Sequence, residues 1–212
     1  MQGQEDPCAR AGEAYALADE LRSIASEGLE YARDEYGRRR HDRVLRCSAQ
    51  LVVGLERRPA EAVLRDHTGD LHHATPQIGV DAMVLEEGRE LLIQRTDNSP
   101  WCMPGGSVEV GETLARVAER ELREEAGIEG KARRVVALFD SRLWHSGMKQ
   151  HMVHLVFLVE RLSGTPTRSS ESLAAGYFAP SALPPLSYGH RDWLPLVLAR
   201  VKENEPGAYF DP

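Results

Sequence analysis

One stretch of the sequence, residues 106–128 (GSVEVGETLARVAERELREEAGI), restricts what this chain can fold into more than any other. From Glu112 onward it is rich in Ala, Leu, Glu and Arg and contains no Pro, a composition that favours an α-helix. Gly111 precedes this run and Gly127 follows it, as glycine often does at the end of a helix. The stretch therefore predicts one helix that ends at Gly127.

The apolar side of this predicted helix also carries acidic residues. At about 100° per residue, a single arc contains Leu114, Val117, Ala118, Glu121, Glu124 and Glu125. The opposite side holds Arg116, Glu119 and Arg123, as expected for a solvated face. Crowded carboxylates repel one another unless a cation neutralises them, and oxygen ligands suit Mg²⁺ or Mn²⁺. We therefore expect this helix to supply carboxylate ligands to a site that binds a metal ion and phosphate.

The spacing of these residues resembles the Nudix box, G-x5-E-x7-R-E-U-x-E-E-x-G-U, in which U is an aliphatic residue. Each defined position is filled, by Gly106, Glu112, Arg120, Glu121, Leu122, Glu124, Glu125, Gly127 and Ile128. So many positions at fixed spacing are a far more specific signal than a lone glycine motif. The resemblance implies an enzyme that hydrolyses the diphosphate bond of a nucleoside diphosphate linked to another moiety.

The resemblance also implies roles for residues in and around the box. It makes Glu121, Glu124 and Glu125 ligands of Mg²⁺, or of Mn²⁺ as a substitute, with the carbonyl of Gly105 as a further ligand. The catalytic set that it implies is Glu121, Arg120 and Glu124. Within that set Arg120 orients a glutamate through a charge-assisted hydrogen bond.

The general base has two candidates. One is Glu121, inside the box. The other is Glu171, which lies near the point where the family sometimes supplies an extra acid, and for which a surface glutamate is the favoured interpretation. The choice between them stays open at the level of the sequence.

Three residues are candidates for contact with the substrate. Arg95 follows a strand next to a loop, where it would hold a phosphate or form an exposed ion pair. Trp101 would stack on a base, or else pack as a loop aromatic. Glu112, at the helix start, would act as a ligand, brace the loop or complement the helix dipole.

Composition narrows the class of protein. The chain has 212 residues and a net charge of −7, which argues against a surface that coats nucleic acid. Its cysteines, Cys8, Cys47 and Cys102, are widely separated and form no paired framework, as is typical of a reduced compartment. No segment resembles a signal peptide or a membrane span. We therefore expect a cytoplasmic enzyme without a membrane partner.

The rest of the chain predicts three parts. Residues 1–75 carry helical patterns, with helices expected at 9–27, 37–55 and 60–65 around a connector at 29–36 and a boundary segment at 66–76. Residues 76–204 alternate strands with a middle helix and a final helix, which indicates an α+β fold. The resemblance makes this a Nudix-type α/β/α sandwich with a mixed sheet. Residues 205–212 are expected to form a loose tail.

The helical N-terminal part resembles the extension of a bacterial Nudix subgroup that acts on CDP-choline, ADP-ribose or related compounds. This resemblance favours a CDP-choline-like substrate, with ADP-ribose as the alternative. Two other classes remain: a Nudix module that senses a nucleotide, and an enzyme that acts on RNA ends. The sensor is disfavoured by the complete box, and the RNA enzyme has only the basic run at 38–43 in its support.

The N-terminal helices also predict an assembly. Their apolar stripe includes Ala14, Leu17, Leu21, Ile24, Val44, Leu51, Val52 and Leu55. Short helices of this kind bury too little surface to be stable alone. Because closed twofold dimers are the commonest assembly, we expect a homodimer whose helical part helps to wall the substrate cleft.

Overall fold

The computed structural model describes residues 7–69, 75–96, 100–109, 111–144 and 151–212, and the side chains of 11–68 within the first of these ranges. The chain divides into two compact units, one helical and N-terminal, the other containing the strands and the remaining helices. The helical unit consists of α1 (Pro7–Tyr31), α2 (Glu35–Glu56) and α3 (Ala60–Gly69). Residues 70–74 of the expected boundary segment lie outside the described residues.

The helical unit has a small core of its own. Asp34 caps α2 by accepting a 2.6 Å hydrogen bond from the backbone N–H of Gly37. Ala25, Leu29 and Leu45 are buried together, and Leu64 of α3 packs against them. On α2 the buried residues are Leu45, Ser48 and Ala49, and Val44 of the expected stripe packs against this core while partly buried.

Gly28 does not end the first helix, contrary to the connector expected at 29–36. The helix α1 continues through it to Tyr31. A Cβ at Gly28 would stand 2.1 Å from Cδ2 of His41 on α2. Gly28 is therefore a point of close helix–helix approach, and its lack of a side chain serves packing rather than termination.

Part of the expected apolar stripe is exposed within one chain. Leu17 and Ile24 on α1 are 49% and 51% exposed, and Leu51 on α2 is 36% exposed. Tyr31 and Tyr36, at the α1–α2 turn, are exposed as well. The helical unit thus presents an apolar surface that its own core does not use.

The second unit contains nine described strands and two described α-helices. The strands are β1 (Gln77–Met83), β2 (Leu85–Glu86), β3 (Arg89–Arg95), β4 (Trp101–Cys102), β5 (Gly105–Ser107), β6 (Ile128–Asp140), β7 (Met152–Gly164), β8 (Ser172–Phe178) and β9 (Tyr209–Phe210). The helices are α4 (Leu114–Ala126) and α5 (His190–Lys202), with a short 3-10 turn at Pro180–Ala182.

These strands form two sheets. The first has the order β5-β1-β7-β6-β9, in which β1 runs parallel to β7 and antiparallel to β5. The second is built on β3, which pairs antiparallel with β2, β4 and β8. The hairpin between β2 and β3 turns at Glu87-Gly88, where both residues have positive φ.

Each face of the sheets is covered by one helix. Val117, Ala118 and Leu122 of α4 are buried against one face, in a cluster that includes residues of both sheets. Trp193, Leu194 and Val197 of α5 are buried against the other face. The expected α+β fold, an α/β/α sandwich with a mixed sheet, is confirmed.

The expectation of a loose C-terminal tail is wrong. Tyr209–Phe210 forms strand β9, which pairs parallel with Ala137 and Leu138 of β6. The Asp211 carboxylate accepts hydrogen bonds from the backbone N–H of Asp140 (2.7 Å) and from Nε1 of Trp144 (2.7 Å). The tail is held because it fills an open strand edge, and tail composition does not reveal that.

Among the described helices, none has the length and apolar character that crossing a bilayer would require.

Candidate metal and phosphate site

Helix α4 begins two residues later than the composition predicts, at Leu114, and ends as expected at Gly127, which adopts φ +68°. The late start leaves Glu112 outside the helix. Its carboxylate instead receives two hydrogen bonds from Arg120, from Nε (2.9 Å) and from Nη2 (3.0 Å). This bidentate pair fixes the chain that enters α4.

Arg120 joins three of the acidic residues of the box. Besides Glu112, its Nη1 donates to Oε1 of Glu121 (2.8 Å) and to Oε2 of Glu124 (3.1 Å). These carboxylates raise the pKa of the guanidinium well above its ordinary value, with Glu112 as the largest cause. In this arrangement Arg120 orients carboxylates.

Strand β5 lies directly against two glutamates of α4. A Cβ at Gly106 would stand 2.2 Å from Oε1 of Glu121, so a side chain there would displace the carboxylate. The backbone N–H of Gly105 donates a 2.8 Å hydrogen bond to Oε2 of Glu125. The glycines before the helix therefore let the backbone approach the acidic face.

Glu171 also lies at this face, although the sequence favoured its interpretation as a surface glutamate. One ligand oxygen each from Glu121, Glu125 and Glu171 lies within 4.8 Å of the others. The segment that carries Glu171 is attached to α4 at the next residue, because Oγ of Ser172 donates a 2.6 Å hydrogen bond to the carbonyl of Glu125. The fold thus brings a glutamate from outside the box to the same point.

Glu124 occupies a different position from Glu121 and Glu125. Its side chain is 40% exposed and contacts Arg120 and, at 3.6 Å, Arg123. At about 100° per residue, Glu124 is rotated about 60° from Glu121 in one direction and Glu125 about 40° in the other. The three box glutamates are therefore not equally inward, and Glu124 lies at the rim.

Burial and mutual repulsion shift the pKa values of the glutamates at this site. Burial, together with the charges of Glu121 and Glu171, raises the pKa of Glu125 to about 7, although the N–H of Gly105 and the charge of Arg95 act to lower it. Burial also raises the pKa of Glu121. Because all the ligand atoms are oxygens, the residues present fit a hard cation such as Mg²⁺ or Mn²⁺.

The two remaining substrate candidates lie in different surroundings. Arg95 ends β3 next to the site, where its charge acts on Glu125. Trp101 lies on β4, with its ring 4.7 Å from that of Phe178 in an edge-on contact, and both rings pack against the apolar cluster that α5 covers. The packed-aromatic interpretation thus describes the position of Trp101, and stacking on a substrate base stays a prediction.

Sequence reasoning missed one residue close to this site. Asp81 of β1 is buried, with Oδ2 3.0 Å from Nδ1 of His154 and Oδ1 3.4 Å from Nε2 of His190. Burial acts to raise the pKa of Asp81, but the two histidines hold it well below its ordinary value. Asp81 likewise raises the pKa of His154 against the effect of burial. The one acidic residue within the buried strand GVDAMV was the available signal.

Two family models match the chain. The NUDIX domain matches residues 75–197, which is more than half of the chain. A domain described as UDP-X-like, N-terminal oligomerisation domain matches residues 13–65, within the helical unit.

Similar proteins include two with related names. The chain is 28% identical over 171 residues to a Bacillus subtilis protein named "Putative ADP-ribose pyrophosphatase YjhB", which covers 80% of this chain and 82% of that one. It is also 28% identical over 118 residues to the ADP-ribose pyrophosphatase of Methanocaldococcus jannaschii, covering 54% of this chain and 69% of the relative.

Two solved structures are similar in fold. The crystal structure of a UDP-X diphosphatase gives a TM-score of 0.61 over 95% of this chain and 99% of that chain, and its 23% identity makes this a likeness of fold alone. An ADP-ribose pyrophosphatase from Streptococcus suis gives a TM-score of 0.54 at 28% identity, over 65% of this chain and 100% of that chain. With the matched domain and the complete box, the chain belongs to the Nudix family and is a Nudix pyrophosphohydrolase.

Proposed function

We propose that this protein hydrolyses the diphosphate bond of a nucleoside diphosphate linked to another moiety, in a reaction that depends on Mg²⁺. The products are a nucleoside monophosphate and the phosphorylated second moiety. The observation that carries the proposal is the convergence of Glu121, Glu125 and Glu171 within 4.8 Å, beside Gly105 and Arg95.

Each residue has a role in this proposal. Glu121, Glu125 and Glu171 would hold the metal, with Glu124 and the carbonyl of Gly105 as further predicted ligands. When bound, Mg²⁺ supplies charge neutralisation for the diphosphate and lowers the pKa of a coordinated water. The guanidinium of Arg95, at the edge of the site, contacts a phosphate oxygen.

The chemical step transfers a phosphoryl group to water. A carboxylate accepts a proton from the water while the water oxygen forms a bond to one phosphorus. The bond between that phosphorus and the bridging oxygen breaks, and the bridging oxygen leaves with the other phosphate. Positioning and electrostatic stabilisation account for most of the catalysis in such reactions.

Glu121 and Glu171 are the candidates for the base. One oxygen of Glu121 is engaged by Arg120, whereas the Glu171 residue is exposed. Glu171→Gln and Glu121→Gln distinguish the two through the pH profile of kcat. The variant that lacks the base loses the acidic limb of that profile, and the variant that lacks only a ligand retains it at a higher metal concentration.

The proposal also concerns which compound is the substrate. The relatives at 28% identity carry names that refer to ADP-ribose, and the model that matches residues 13–65 refers to UDP-X. The helical extension supports CDP-choline on the subgroup resemblance. We therefore rank ADP-ribose and a UDP-sugar beside CDP-choline as the first compounds to assay.

A substrate panel tests the proposal directly. The purified protein is incubated with CDP-choline, ADP-ribose and UDP-glucose, each with Mg²⁺ and with excess EDTA, and the mononucleotide released is quantified by chromatography. We expect one compound to be preferred and EDTA to abolish its turnover. Full turnover in EDTA, or no mononucleotide from any compound, would overturn the proposal.

The assembly is proposed to be a homodimer formed through the helical unit. Support comes from the exposed apolar residues Leu17, Ile24 and Leu51, and from the match of residues 13–65 to an oligomerisation domain. The alternative of an RNA-end enzyme rests only on the basic run at 38–43, in which Arg39 forms an exposed i,i+4 ion pair with Glu35.

A further inference from the structure

We propose that Asp81 is a positioning residue for the metal site, which it serves by fixing strand β5 at Gly105 and thereby the place of Glu125. This role rests on the proposed function. It involves the face of the first sheet opposite α4, where Asp81 is buried with His154 and His190.

The three residues connect three elements of the second unit. Asp81 belongs to β1, His154 to β7, and His190 is the first residue of α5. Asp81 and His154 form a 3.0 Å hydrogen bond, and Nε2 of His190 lies 3.4 Å from Oδ1 of Asp81. The cluster holds the side chain of Asp81 in one place within the sheet.

Asp81 is also the partner of Gly105 in the pairing of β1 with β5. A Cβ at Gly105 would stand 2.9 Å from Oδ1 of Asp81 and 2.5 Å from the carbonyl oxygen of Val80. The carboxylate therefore packs directly against the Gly105 backbone. A shift of Asp81 would be transmitted to β5, because no side chain or gap separates the two residues.

On its other side, Gly105 holds a glutamate of the metal site. Its backbone N–H donates the 2.8 Å hydrogen bond to Oε2 of Glu125. A single residue thus connects the buried cluster with a proposed metal ligand. Because ligand geometry must hold within a fraction of an ångström, even a small displacement of Gly105 would weaken metal binding.

Two other roles for the cluster predict different results. Direct metal binding by Asp81 is disfavoured. Among the described residues, the ligand atoms that come together are those of Glu121, Glu125 and Glu171, and neither Asp81 nor the histidines belong to this group. A purely stabilising ion pair would lower the melting temperature without changing metal affinity.

Metal affinity measured without substrate separates these roles. Mn²⁺ binding to the intact protein is titrated by electron paramagnetic resonance of the free ion, for the wild type and for Asp81→Asn. We expect Asp81→Asn to bind Mn²⁺ about tenfold more weakly or worse, the effect typical of lost support for a metal ligand. Val136→Ala is the matched control, since it weakens the core on the same side of the sheet from strand β6, which β7 separates from the strand of Asp81.

A histidine series guards against misfolding of Asp81→Asn. His154→Gln retains an N–H donor for Asp81, whereas His154→Leu does not. If Asp81 is a positioning residue, His154→Gln should bind Mn²⁺ nearly as tightly as the wild type, and His154→Leu should bind it more weakly. Both variants should melt at temperatures no lower than that of Val136→Ala. The proposal is overturned if Asp81→Asn or His154→Leu folds and has a lowered melting temperature but binds Mn²⁺ as tightly as the wild type.

The outcome for Glu125→Gln keeps this proposal apart from the proposed function. If Glu125→Gln binds Mn²⁺ as the wild type does, the metal site itself is wrongly assigned and the proposed function fails. If Glu125→Gln loses Mn²⁺ binding while Asp81→Asn retains it, the proposed function stands and the role of Asp81 is refuted.

Discussion

Gly106 and Glu121 lie so close together that a Cβ at position 106 would stand 2.2 Å from the carboxylate oxygen Oε1. The first glycine and the central glutamate of the box, far apart in sequence, are therefore one structural unit. The glutamate is buried beneath a strand that has no side chain at the point of contact. The spacing of the motif has a steric cause as well as a chemical one.

Gly106→Ala should abolish most of the activity. The added methyl group would push Glu121 away from Glu125 and Glu171, and we expect kcat to fall about 100-fold or more, since misplaced catalytic groups are costly. Gly54→Ala is the control, because a Cβ at that position of α2 meets nothing within 4 Å. Wild-type turnover by Gly106→Ala would show that Glu121 is not needed in its observed position.

Arg120→Lys should lose activity although it keeps the positive charge. A lysine offers no bidentate fork for Glu112 and reaches Glu121 and Glu124 without fixed geometry. We expect kcat to fall roughly 10–100-fold, as is typical when a partner that orients metal ligands is lost. Arg123→Lys, on the exposed side of the same helix, should behave like the wild type. Equal rates for the two variants would remove Arg120 from its proposed role.

Metal affinity should increase with pH up to about pH 7. Burial and neighbouring acids raise the pKa of Glu125 to about 7, so below that pH Mn²⁺ must displace a proton from it. Each unit of pH below 7 should then weaken binding by up to about tenfold. Titrations between pH 5.5 and pH 8 measure this slope, and a flat profile would contradict the assignment.

Glu125→Gln should also lose most turnover, a cost of about 3 kcal/mol or more if electrostatic stabilisation dominates.

Glu90 should make the protein less stable as the pH rises. It is fully buried on β3, and burial raises its pKa well above 4.5 although the backbone of Val84 acts to lower it. Below pH 4.5 both folded and unfolded states keep the proton. Above it the unfolded state releases the proton first, so the free energy of unfolding falls by up to about 1.4 kcal/mol per pH unit until the folded pKa is reached.

Glu90→Gln removes this titration. We expect its melting temperature to exceed that of the wild type at pH 8, with a difference that shrinks towards pH 4.5. Thermal unfolding followed by circular dichroism at several pH values measures the difference between the two proteins, so that effects of other groups cancel. A difference independent of pH would show that Glu90 titrates normally in the folded state.

The proposed dimer should depend on the exposed apolar residues of α1. Leu17→Asp combined with Ile24→Asp places charges on that surface without touching the small core around Leu45. Light scattering should report a dimer mass for the wild type and a monomer mass for the double variant at micromolar concentration. Glu20→Gln, exposed on the same helix, is the control and should remain dimeric. A monomeric wild type would contradict the proposal.

The sequence by itself determined the parts of this protein that local patterns encode. Helix α4 and its end at Gly127 follow from composition and from the glycine there, the α+β class follows from the order of helical and strand patterns, and the family follows from the resemblance of the box. These features depend on neighbours within a few residues, or on a motif whose positions are fixed. For the same reason the close grouping of Glu121 and Glu125, one helical turn apart, was predictable.

The tertiary structure decided what depends on distant partners. Glu171 lies near Glu121 and Glu125 because strand β8 pairs with β3, and Tyr209–Phe210 forms a strand because the edge of β6 was open to it. Asp81 meets His154 and His190 only when β1, β7 and α5 are packed together. None of these contacts joins residues close in the chain, so no local pattern records them. They arise from the pairing of strands and the burial of apolar faces, which the whole fold determines at once.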